Sequence, residues 1–174
     1  MNASKPALLL CAAMVSLAGS VAYAEEAPLA KFGMLNRLVG SCWQGSYGKT
    51  EDKQCYSSQF GRFLRGTIDL QTSAEDGRRQ GYRGDSLFAW NAKQNCIDWF
   101  YWSDVGATGA VQATVDGDTV TFLDPPSPKT PEVRTKSVWR MLDADHYEVV
   151  RLQGKDAEWK ETLRVVYRRE TAAQ

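Results

Sequence analysis

The sequence predicts an all-β domain: a single antiparallel up-and-down β-barrel of about ten strands, with a short helix on its N-terminal side. Three observations carry this. From Ser41 onward, short runs rich in aromatic and β-branched residues recur at even spacing. Gly, Asp, Asn and Pro punctuate the gaps between them, and no helical period intervenes. A meander of this length closes on itself, because closure removes exposed strand edges. An open sandwich is the competing arrangement.

Ahead of the domain, residues 1–24 have the three parts of a secretory leader. Met1 to Pro6 is polar with one cation, Lys5, and Ala7 to Ala18 is apolar. Ala22-Tyr23-Ala24 then places small residues at −3 and −1, directly before Glu25-Glu26. The apolar run is shorter than the ~20 residues that a membrane-spanning helix needs, so cleavage is expected in preference to an uncleaved anchor. Cys11 sits inside the run behind the bulky Leu10, and it leaves with the leader. The expected product is residues 25–174, one domain, periplasmic or secreted, with no transmembrane segment.

Along that product, Pro28 to Val39 places Leu35, Leu38 and Val39 at helical spacing, with a break near Gly33 and a stop at Gly40. Strands are expected at 41–48, 54–60, 63–71, 81–90, 96–103, 108–115, 118–123, 133–142, 146–153 and 157–168. Asp116-Gly117 is a two-residue hairpin signal. Asp124 to Pro131 holds four prolines and reads as a loop. In the 81–90 run, Tyr82, Gly84, Ser86, Phe88 and Trp90 share one face. In the last run, Trp159, Glu161, Leu163, Val165 and Tyr167 share one face by the same count. Ile97 to Trp102 is aromatic on both faces, which predicts a cover on its second side, assigned to the N-terminal helix.

Three cysteines outlast the leader: Cys42, Cys55 and Cys96. An odd count in an oxidising compartment predicts one bridge and one leftover thiol. Cys42 and Cys55 fall on neighbouring antiparallel runs, so Cys42–Cys55 is the expected pair. There is no Cys-x-x-Cys spacing and His146 is the sole histidine, so no metal site is expected. Loss of Lys5 leaves 20 basic residues against 21 acidic, with no basic stripe, and nucleic acid is not an expected partner.

The segments Leu38-Val39-Gly40-Ser41-Cys42-Trp43-Gln44-Gly45, Asp52-Lys53-Gln54-Cys55-Tyr56 and Tyr82-Arg83-Gly84-Asp85-Ser86-Leu87-Phe88-Ala89-Trp90 resemble an uncharacterised bacterial calycin-like group. The likeness continues through Tyr101-Trp102-Ser103 and Trp159 to Arg168. Members of that group resemble lipocalin, fatty-acid-binding and nitrobindin-type barrels. The resemblance implies a barrel whose interior admits an apolar ligand. Arg164 and Tyr167 are spaced to opposite faces, unlike the Arg-x-Tyr carboxylate grip of fatty-acid-binding proteins. His146 sits at a turn, so no haem or other cofactor is expected.

The recurring aromatic residues Trp43, Tyr56, Trp90, Trp99, Tyr101, Trp139 and Tyr147 are the candidate ligand-binding set, and the competing reading makes them core filling. Glu161, counted on the face of Trp159 and Leu163, is the candidate grip for a polar ligand group; a solvent-facing carboxylate is its alternative. Asp85, Asp98 and Glu161 have no spacing that assembles an acid–base pair, and His146 has no evident Ser and Asp partners, so no catalytic residue is assigned. An isomerase- or cyclase-type barrel enzyme and an envelope protein-interaction module, docking through 97–102 or 125–131, are the other functional classes.

Overall fold

The computed structural model describes residues 29–155 and 158–170. The expected leader 1–24 and its cleavage site lie outside the described residues. A 3-10 turn, Leu29–Phe32, leads through Gly33 into helix α1, Met34–Leu38. Ten strands follow: β1 Ser41–Tyr47, β2 Thr50–Gln59, β3 Phe63–Ser73, β4 Arg79–Asn91, β5 Cys96–Ser103, β6 Thr108–Asp116, β7 Thr119–Leu123, β8 Arg134–Met141, β9 His146–Lys155 and β10 Glu158–Arg169. Each pairs antiparallel with its sequence neighbour, and β1 meets β10 to close the barrel.

The expected strands are present with shifted ends. The largest shift is in β2, which begins at Thr50, four residues before its expected start. The sixth hairpin turns at Gly117-Asp118, because Asp116 still pairs with Thr119. Gly117 takes φ 55°, a conformation open to glycine at little cost.

The up-and-down order sorts the connections onto two ends. One end carries the turns after β2, β4, β6 and β8. The N-terminal segment plugs this end, with Phe32, Met34, Leu35 and Leu38 fully buried. Burying each such side chain stabilises the fold by ~1.5–3 kcal/mol. Gly33 makes the insertion possible: it has φ 56°, and a Cβ there would stand 2.5 Å from Val115 Cγ1. Trp43 Nε1 donates to the Leu38 carbonyl at 3.2 Å, tying the plug to β1. Arg37 reaches Asp118 at 3.2 Å on the far side. The other end is left to the loops at 48–49, 74–78, 104–107 and 124–133. It forms the mouth.

Two expectations about faces are corrected. Strand β10 slips register between Glu161 and Leu163. A bulge adds one residue to one strand, and one residue reverses the parity of every position beyond it. Leu163, Val165 and Tyr167 therefore pair with Arg151, Val149 and Tyr147 on the inner face. Glu161 instead lies opposite Leu152, exposed, and holds Arg164 at 2.7 Å. Trp159 is also outside, beneath Lys136 Nζ at 4.1 Å from its ring centre. The second correction concerns β5. The helix plugs the barrel end and leaves the outer face of β5 open, with Phe100 43% and Trp102 46% exposed.

Cys42 and Cys55 are directly opposite on β1 and β2 and form a disulfide, while Cys96 is a buried free thiol. The bridge closes a short loop, which in chain-entropy terms contributes about 3 kcal/mol. Thiol titration of the denatured, unreduced domain, residues 25–174, is expected to find one reactive thiol. Three would contradict the pairing.

Candidate functional site

Ten strands enclose a lumen wider than that of an eight-stranded barrel, whose side chains just fill it. Here the rings fill only part of the length. Tyr56, Phe88, Trp99, Phe122, Trp139 and Tyr147 follow one another around the inner wall. Successive ring centres lie 6.4, 5.8, 5.1, 4.9 and 6.1 Å apart. Tyr147 then contacts Trp43 at 5.2 Å and stacks on Tyr167 at 4.7 Å. Edge-on and offset contacts at such distances are favourable beyond the area they bury. The result is a layer of rings across the barrel, directly above the helical plug.

Above that layer, towards the mouth, lies a cavity of about 620 Å³. Its walls include Tyr56, Phe88, Trp99, Tyr101 and Trp139, and its rim includes Tyr82, Val105, Pro125 and Arg151. Tyr101 lies flat against the wall because Gly109 opposite it has no side chain. A Cβ at Gly109 would be 2.4 Å from the Tyr101 ring. Arg151 is paired with Asp124 at 3.5 Å on the rim. Trp99 Nε1 is buried with no hydrogen-bond partner among the described residues.

The candidate aromatic set thus divides. Tyr56, Trp99, Tyr101 and Trp139 border the cavity. Trp43 and Tyr147 are fully buried within the packed lower half. Trp90 is at the plugged end, 6.4 Å from the Phe32 ring and 5.8 Å from Lys31 Nζ. Glu161 is on the outer surface, as described. The other two acidic candidates also spend their bonds outside: Asp85 on Arg65 at 2.5 Å, Asp98 on Asn91 and Gln112. His146 pairs with Asp143 at 2.9 Å in the β8–β9 turn, at the end opposite the mouth.

Sequence reasoning missed Thr50, Asp52 and Gln54, which form with Tyr56 a buried polar column on the inner face of β2. Gln54 is its centre. Its Oε1 accepts from Tyr56 at 2.5 Å and from Tyr147 at 3.2 Å. Its Nε2 donates to Asp52 Oδ2 and to Tyr167 Oη, both at 3.1 Å. Tyr167 donates in turn to Asp52 Oδ2 at 2.6 Å. Gly45 gives the Tyr167 ring its room, since a Cβ there would be 2.9 Å from it. Burial raises the Asp52 carboxyl above the ordinary carboxylate range, against the lowering effect of the Tyr167 and Gln54 bonds. Burial likewise raises the Tyr47 and Tyr82 hydroxyls, with Asp52 adding to both.

Among the described residues, no group of three or more His, Cys, Asp or Glu side chains is placed to hold a metal ion. No helix among them is long and apolar enough to cross a membrane. No family model matches the chain, and no curated protein matches it. Among solved structures, Rv2717c from M. tuberculosis is similar, with a TM-score of 0.55 at 17% identity, covering 84% of this chain and 100% of that one. A likeness at that identity shows the fold alone.

The raised Asp52 carboxyl has a consequence for stability. Between the ordinary and the raised pKa, the folded protein keeps a proton that the unfolded chain has released. Stability is therefore lost as pH rises through the folded value. Thermal unfolding of Asp52→Asn is expected to compare more favourably with the native protein at pH 7 than at pH 4. An equal difference at both pH values would contradict the assignment.

Proposed function

We propose that this protein is an exported calycin-like barrel that binds one small, largely apolar molecule above its ring layer. The cavity of about 620 Å³ carries the reading, since ligand sites in proteins run from roughly 300 to 1,000 Å³ and are walled by apolar and aromatic groups. Tyr56, Trp99, Tyr101 and Trp139 supply the ligand contacts from the original aromatic set. Phe88 and Tyr82 join them from the β4 face. Trp99 Nε1 is a spare donor for one acceptor on the ligand. The apolar run and small-residue cleavage pattern of residues 1–24 support export, and the Cys42–Cys55 bridge suits an oxidising compartment.

The test is native mass spectrometry of protein purified from its own host, followed by titration of the apo form with n-octanol, read as a change in tryptophan fluorescence. Ser137 lines the cavity two inward positions from Met141 and one from Trp139. Ser137→Trp is expected to fill the space beside Trp139 and weaken octanol binding by about tenfold or more, a difference of ~1.4 kcal/mol. Unchanged binding in that variant, or no octanol binding by the native apo protein, would overturn the reading.

A further inference from the structure

The apolar cavity leaves the polar column of β2 without a purpose. Burying polar groups costs free energy unless they are hydrogen-bonded, and this column is satisfied everywhere but at one atom. Both Gln54 amide hydrogens and both faces of its carbonyl are engaged. The Tyr56, Tyr147 and Tyr167 hydroxyl protons are all committed as donors. Asp52 Oδ2 accepts two bonds, while Oδ1 is buried with no partner among the described residues. Asp52 as a residue is 4% exposed.

Among the described residues no arginine or lysine pairs with Asp52, although arginines and lysines form eleven ion pairs elsewhere. Arg151, the cation on the cavity rim, is engaged by Asp124. Asp52 does not itself line the cavity; it is one inward position along β2 from Gln54, a distance of about 7 Å, and Gln54 does line it. The interior therefore holds a buried carboxyl group with one unpartnered oxygen and no built-in counter-charge, one position behind the wall of a space lined by rings.

We propose that the Asp52 carboxylate receives a protonated amine, so that the occupant of the barrel is an amine with an apolar body. This rests on the cavity reading above and names its ligand class. A cationic donor suits Oδ1 better than a hydroxyl does, because charge-assisted hydrogen bonds are roughly twice as strong as neutral ones. It also compensates the buried charge, which a neutral ligand leaves uncompensated. A carboxylate ligand would meet like charge and be rejected. The ring faces of the wall add a favourable field for the ammonium group. Gln54 and Tyr167 act as positioning residues: their bonds to Oδ2 hold the carboxylate, and Tyr56 and Tyr147 hold Gln54.

Three probes of one chain length separate the possibilities: n-octylamine, n-octanol and octanoate, titrated at pH 7 into the mature apo protein and followed by calorimetry. The native protein is expected to bind octylamine about tenfold or more tighter than octanol, with octanoate weakest. Asp52→Asn is expected to remove that preference while leaving octanol within about threefold of its native affinity. Tyr167→Phe keeps the carboxylate but removes one of the two bonds that hold it, and is expected to retain the order amine over alcohol over acid with a smaller lead for the amine. The carboxyl carbon resonance of Asp52, followed in native protein, is expected to shift with octylamine and not with octanol. This keeps the question answerable should Asp52→Asn fail to fold. Equal binding of amine and alcohol by native protein, or an amine preference that survives Asp52→Asn, overturns the role of Asp52 and leaves the apolar cavity standing. If none of the three probes binds, the cavity reading falls too.

Discussion

Everything above the plug depends on where the aromatic layer stops. Ten strands make a barrel too wide for ordinary side chains to fill along its whole length. The protein fills the lower half with rings that contact one another from Tyr56 round to Tyr147, with Trp43 and Tyr167 on that side. Below them, a five-residue helix and the 3-10 turn before it close the end with four buried side chains. Such a short helix has little stability of its own. It is held by what it buries and by the Trp43 bond to Leu38.

The upper half is governed by the absence of bulk at chosen positions. Gly109 lets Tyr101 lie against the wall, and Gly45 admits the Tyr167 ring next to Asp52. The same rings serve both halves. Tyr147 and Tyr167 stack as core, yet their hydroxyls reach Gln54 and Asp52. Tyrosine suits this position because it has an apolar body and one polar atom that needs a partner. Replacing these tyrosines by phenylalanine would keep much of the packing and dismantle the polar column.

Much of the barrel was legible in the sequence because its punctuation is strong. Gly117, the Asn91–Asn95 turn and the proline-rich 124–131 segment separate runs of aromatic and β-branched residues, and the structure places strand ends near them. Cys42 and Cys55 were readable as a pair for the same reason, being opposite one another on the first hairpin. Glu161 was misplaced because a single extra residue in β10 reverses the inward and outward faces, and Trp159 to Tyr167 carries no glycine or proline to mark it. The start of β2 was missed for a different reason. Glu51 and Lys53 face out while Thr50, Asp52 and Gln54 face in, so both faces are polar and the alternation that reveals a strand is invisible. That hidden column brings Gln54 to the cavity wall and buries Asp52 behind it. Of the aromatic candidates, composition alone does not distinguish a ring below the layer from one above it; only the register around the barrel does.

In the proposed function a ligand enters the barrel and rests above the ring layer, in contact with its upper surface. Intermolecular nuclear Overhauser effects from bound, protonated n-octanol to the side chains of deuterated protein carrying protonated tryptophan and phenylalanine rings measure this directly. Contacts to Trp99 and Trp139 and none to Trp43 are expected. Contacts to Phe100, on the outer face of β5, with none to Trp99 or Trp139, would contradict that placement.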